Sequence, residues 1–145
     1  MPRKEPLSEL LSQILVAYAD EFERRLSEAG HAELSLPLGA NVLRFLDRDG
    51  VRVGTLARRS HVSKQAISQQ VAYLEQLGYV KVTSDPGDGR AKVVKLTTRG
   101  RHARAIAAPL FAHIERTWAR RLGGREMEAL RVSLETVATR LGVEV

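Results

Sequence analysis

The 145-residue sequence contains no cysteine. That single absence excludes disulfide frameworks, thiolate zinc sites, cysteine nucleophiles and thiol-based redox sensing. No apolar run approaches the ~18 residues that a membrane span requires. The leading residues, Met1-Pro2-Arg3-Lys4-Glu5-Pro6, are polar where a secretory signal would carry an apolar core, so a cytoplasmic location with no membrane partner is expected. The four histidines (His31, His61, His102, His113) show no metal-ligand spacing, and no glycine-rich phosphate loop or nucleophile elbow is present. Neither an enzyme nor a cofactor site is expected. Acidic residues are scarce in one central block. Residues 52–104 hold three acids (Glu75, Asp85, Asp88) against 11 Lys and Arg, a net +8, whereas the remainder holds 14 acids and 12 bases, a net −2. The whole excess of the +6 chain therefore sits where a polyanion-binding module would sit. A merely solvated basic surface is the plainer alternative on charge alone.

What is present is mostly helical periodicity. Leu7, Leu10, Leu11, Ile14, Leu15, Tyr18, Phe22, Leu26 and Ala29 recur at three- and four-residue spacing, which predicts a helix over residues 7–29 closed by Gly30. A loop containing Pro37 and a second helix over 39–46 follow. The cluster Asp47-Arg48-Asp49-Gly50 reads as a turn, and residues 51–53 as a brief strand. Residues 55–60 predict a short helix, 63–77 a longer one, and 79–83 with 92–96 a hairpin around the turn-rich tip Asp85-Pro86-Gly87-Asp88-Gly89-Arg90. A long helix over 98–122 contains Pro109, and a last helix over 125–141 follows Gly123-Gly124. Met127, Leu130, Leu134, Val137 and Leu141 are spaced three, four, three, four along it, a narrow seam suited to a partner helix. Packing within the chain explains so short a seam almost as well.

Within the basic block, residues 53–68 have helix-turn-helix rhythm. Leu56 and Ala57 face inward, Val62 plugs the turn, and Ile67, Val71 and Leu74 line the buried side of the second helix. His61 occupies a turn position that tolerates left-handed geometry, and Ser63 is a good N-cap without a capping box, since Ala66 stands three residues later. With Ile67 at the centre of the buried face, Gln65 and Gln69 point about 160–200° away. Ser68 lies at the flank and Lys64 at the helix start. Such side chains bond base edges and phosphates, glutamine being suited to adenine in a major groove. A polar solvated face would accept the same residues.

The phrases Leu56-Ala57, Ser63-Lys64-Gln65-Ala66-Ile67-Ser68, Leu74-Glu75-Gln76-Leu77-Gly78-Tyr79-Val80, Asp85-Pro86-Gly87-Asp88-Gly89-Arg90 and Leu96-Thr97-Thr98-Arg99-Gly100 together resemble the DNA-binding core of the MarR family. The resemblance covers residues 54–100 by motif and the flanking helices only by length and pattern. It implies an all-α fold with a small β-hairpin wing, that is, a winged helix-turn-helix with N- and C-terminal dimerisation helices. Residues 39–100 would form the DNA-binding module, and 1–38 with 101–145 a helical dimerisation scaffold in one compact chain. The function implied is that of a homodimeric transcription regulator, a repressor released by a small ligand, binding an inverted-repeat operator in double-stranded DNA. Thr55, Ser63, Lys64, Gln65, Ser68, Gln69, Asp88, Arg90 and Lys92 are the expected DNA contacts, with Arg90 at a minor groove and Asp88 holding its guanidinium. Leu10, Leu11, Ile14, Leu130, Leu134, Val137 and Leu141 are the expected dimer contacts. A small aromatic or lipophilic ligand is expected against Tyr18, Phe22, His113 and Trp118, each of which packing alone would also explain. Without cysteine, the thiol chemistry of the peroxide-sensing subgroup is excluded. The competing reading is a winged helix used as a protein-interaction module.

Overall fold

The computed structural model describes residues 4–143; the polar lead at residues 1–3 and the last two positions of the expected 101–145 scaffold segment lie outside them. The described residues form α1 (Leu7–Glu28), α2 (Leu36–Asn41), β1 (Val51–Arg52), α3 (Val53–Ser60), α4 (Lys64–Gln76), β2 (Val80–Asp85), β3 (Asp88–Leu96), α5 (Thr98–Leu122) and α6 (Gly124–Arg140), with a 3-10 turn at Leu43–Phe45. They divide into two compact units, one reaching to Ala108 and one starting at Pro109. The expected module over 39–100 falls wholly in the first unit, where α1 accompanies it.

The second helix begins earlier than its sequence implied. Pro37 was expected in a loop ahead of a helix over 39–46, but it stands in the first turn of α2, where a missing N–H costs nothing. Ser35, in extended conformation, caps this helix by accepting from the Leu38 N–H at 3.5 Å. Val42, at φ −124° and ψ −66°, ends it, and the chain tightens into the 3-10 turn. The Asn41 amide donates to Gln70 Oε1 at 3.3 Å, which ties α2 to α4. Helix α5 does contain Pro109, and Gly123, at φ +100°, precedes α6.

Leu56, Ile67, Leu74, Tyr79 and Val94 are fully buried, and Leu46 and Val80 nearly so. Each such aliphatic side chain stabilises the fold by about 1.5–3 kcal/mol. The strands form one antiparallel sheet in the order β1-β3-β2, with Val94 opposite both Val51 and Val82. The hairpin is longer than its residue types predict. Its strands run to Asp85 and from Asp88, which pair across the two-residue tip Pro86-Gly87, with an irregularity between Ser84 and Asp85. The two aspartates explain the closure. Asp85 Oδ1 accepts from the Gly87 N–H at 2.8 Å, and Asp88 Oδ1 from the Arg90 N–H at 3.1 Å.

Candidate nucleic-acid interface

Helices α3 and α4 meet through a turn that the sequence specifies residue by residue. His61 takes the left-handed conformation, φ 55° and ψ 32°, and is the one non-glycine residue with positive φ among those described. Its N–H donates to Arg58 O at 3.4 Å, and the Val62 N–H to Ala57 O at 3.2 Å. Ser63 Oγ then caps α4 by accepting from the Ala66 N–H at 3.2 Å. With Ile67, Val71 and Leu74 buried, the opposite face of α4 is fixed outward. Lys64, Gln65, Ser68 and Gln69 are all exposed on it.

The wing stands beside this face. Between them lies a cleft of about 570 Å³ lined by Thr55 and Arg58 of α3, Lys64 and Ser68 of α4, and Arg52, Arg90 and Lys92 of the sheet. The geometry thus joins Thr55, Lys64, Ser68, Arg90 and Lys92, expected from sequence, and adds Arg52 and Arg58, which were not. Arg58 follows the inward pair Leu56-Ala57, and nothing in its sequence context separates it from a solvated surface residue. Its Nη2 donates to Thr55 Oγ1 at 3.1 Å, which orients both groups. Gln65 and Gln69 lie outside this cleft on the outward face of α4, and Ser63 serves as its N-cap.

One of the two wing aspartates acts differently from expectation. Asp88 was expected to hold the Arg90 guanidinium; instead its carboxylate accepts the Arg90 backbone N–H. The short hairpin tip bends Asp88 back onto the main chain, so the Arg90 side chain projects outward, with no ion pair among the described residues. Asp85 takes the ionic role. Arg52 Nε and Nη2 both donate to Asp85 Oδ2, at 2.9 and 2.5 Å, across the intervening β3. The Gly87 N–H, then Arg52, hold the Asp85 carboxyl below the ordinary carboxylate range. The wing is therefore pinned to the residue that opens α3.

The remaining candidates divide by unit. Leu10, Leu11 and Ile14 are exposed on α1 in the first unit. In the second, Leu134 and Val137 are exposed on α6, Leu141 is exposed just beyond it, and Leu130 is half-buried. Helix α6 has no buried residue among those described. Tyr18 is half-buried and Phe22 only 2% exposed, both in the first unit, whereas His113 and Trp118 are half-buried in the second.

Comparison with known proteins agrees with this geometry. Residues 37–91, from α2 to the start of β3, match the sequence model of the MarR family. HosA, a transcriptional regulator of Escherichia coli O111:H-, is 28% identical over 96 residues, covering 66% of this chain and 71% of HosA. The crystal structure of MarR superposes with a TM-score of 0.77 at 26% identity, over 97% of this chain and all of that one. The transcriptional repressor CouR, bound to a 23-mer DNA duplex, superposes with a TM-score of 0.74 at 24% identity, over 92% of each chain. Motif order, fold and relatives converge: residues 37–91 match the MarR family, and the chain shares the winged helix-turn-helix fold of MarR.

Proposed function

We propose that the protein binds an inverted-repeat operator as a homodimer, placing α4 in the major groove and the wing along an adjacent minor groove, and that it represses transcription until a small aromatic or lipophilic ligand releases it. The basic cleft between α4 and the wing carries this reading. Its cations converge from four elements, β1, α3, α4 and β3, and surround the polar start of α4, an arrangement that fits a phosphate backbone flanking a groove. CouR supports the docking mode, since it shares the fold and is described on a DNA duplex. The apolar faces of α1 and α6 support dimerisation, and repression follows from a dimer that covers promoter DNA. A two-fold pair places its recognition helices about 34 Å apart, one turn of DNA.

The reading divides labour between helix and wing. Gln65→Ala and Gln69→Ala are each expected to cost about 1–3 kcal/mol at particular base pairs and to relax preference there. Arg90→Ala should instead weaken binding to every sequence by a similar factor, because minor-groove width is a degenerate signal. Affinities for the operator and its single-base variants separate the two. If both glutamine variants bind every sequence as the wild type does, α4 is not the reader. Failure of the wild type to bind any duplex would favour a protein-interaction module instead.

A further inference from the structure

His31 is a buried polar residue, 4% exposed, in the loop between α1 and α2. Its Nδ1 lies 2.9 Å from the Tyr79 hydroxyl and its Nε2 lies 3.1 Å from His102 Nδ1. Tyr79 donates to Glu33 Oε2 at 3.2 Å. Arg99 approaches Glu33 at 3.6 Å and lies 4.3 Å over the Tyr79 ring. These four residues, from the α1–α2 loop, the exit of α4 and the first turns of α5, are the titratable and charged groups that face His31.

Donor and acceptor chemistry orders the chain. A carboxylate only accepts, so the Tyr79 hydroxyl spends its proton on Glu33 and its oxygen receives the His31 Nδ1–H. Neutral His31 then offers a bare Nε2, which His102 must meet with Nδ1–H. One added proton is tolerated: it sits on His31 Nε2, and His102 turns its bare Nδ1 toward it as the other tautomer. A second proton sets two N–H groups against each other across 3.1 Å.

We propose that His31 is a positioning residue for the recognition helix and that its contact with His102 is a proton-counting latch, closed with at most one proton and open with two. Tyr79 transmits the state of the latch. Its N–H donates to Leu74 O at 2.9 Å, inside α4, and its carbonyl accepts from the Thr97 N–H at 3.1 Å, just before α5. Releasing the Tyr79 ring therefore loosens the C-terminal end of α4 against the rest of its unit. Burial first, then His102 and Arg99, keep the His31 imidazole below its ordinary 6.5, while Glu33 acts in the opposite sense. The unfolded chain thus binds more protons than the folded one below that value. The stability is full above about pH 6.5 and is lost as pH falls from there toward the depressed folded value.

The proposal predicts a sign opposite to ordinary electrostatics. Added positive charge on a basic protein ordinarily tightens its binding to a polyanion. Operator affinity of the full chain at constant ionic strength should nevertheless fall about tenfold between roughly pH 7.5 and pH 5.5. His102→Asn keeps an N–H donor toward His31 but takes no proton, so its affinity should change less than about threefold over the same range. This arm rests on the DNA-binding reading. Nitrogen NMR of the imidazole rings does not, and should show His31 as the Nδ1–H tautomer near neutral pH, with loss of its contact to His102 in acid. An affinity profile shared by the wild type and His102→Asn, or an Nε2–H tautomer of His31 near neutral pH, would overturn the latch.

Discussion

Gly100→Ala should unfold the protein about 6–12 °C earlier than the wild type, for a loss of about 3 kcal/mol. The position is helical, in the first turn of α5, where alanine normally exceeds glycine by up to about 1 kcal/mol. Here the surroundings reverse the sign. A Cβ on Gly100 would stand 2.0 Å from the Tyr79 carbonyl oxygen and 3.0 Å from Leu96 Cδ2. The carbonyl cannot step aside, because it accepts the Thr97 N–H while Thr97 Oγ1 donates to Gly78 O at 2.6 Å. Backbone would have to move, and the end of α4 with it. Gly39→Ala is the matched control: Gly39 lies inside α2 with nothing within 4 Å of its would-be Cβ. That variant should be stabilised by about 0.5–1 kcal/mol. Thermal melts of the two variants beside the wild type decide the matter, and equal behaviour would show that the α5 entry relaxes without cost.

The second large effect is expected from Leu134→Glu combined with Leu141→Glu. These side chains are 47% and 73% exposed, and Leu10, Leu11 and Ile14 of α1 are similarly uncovered. Both positions are exposed and α6 has no buried residue among those described, so helical circular dichroism should persist. They should abolish self-association and convert operator binding into that of a lone half-site reader. Losing the second, tethered contact typically costs about 10²–10⁴-fold in avidity. Light scattering at micromolar concentration and affinity measurements on one-site and two-site duplexes test this directly. A wild type that is monomeric at that concentration, or a variant that remains paired, removes α6 from the interface.

Much of the architecture was readable because periodicity is local. Ile67, Val71 and Leu74 define the buried face of α4 from within the helix itself, so the outward placement of Lys64, Gln65, Ser68 and Gln69 follows with no long-range knowledge. His61 and Ser63 also act on their own backbone and neighbours. The failures are of two kinds. Pro37 and the wing tip turned on conformations that one residue type permits in two settings: a proline can precede a helix or begin it, and an aspartate can bond a guanidinium or a main-chain N–H. The Arg52–Asp85 pair and the His31–Tyr79–His102 chain join residues 33, 48 and 71 positions apart, a separation at which sequence pattern carries no geometry. The glycine of the Leu96-Thr97-Thr98-Arg99-Gly100 phrase is legible as part of a motif, but its reason is the Tyr79 carbonyl, which only the fold brings there.

The pairing of Arg52 with Asp85 has a consequence for the ion atmosphere of the duplex. Of the five cations that line the cleft, Arg52 is already neutralised within the protein, which leaves Arg58, Lys64, Arg90 and Lys92. Each phosphate they neutralise releases condensed counterions worth a slope of about −0.9 in log affinity against log salt, so one protomer contributes about −3.6. Two protomers on one operator give about −7, and raising salt from roughly 50 to 200 mM would then weaken the complex about 10⁴-fold. Breaking the bridge with Asp85→Asn releases a fifth cation on each copy, so the slope should steepen by about two units for a pair and one for a single bound copy. Counting released ions in this way measures how many protomers sit on the DNA.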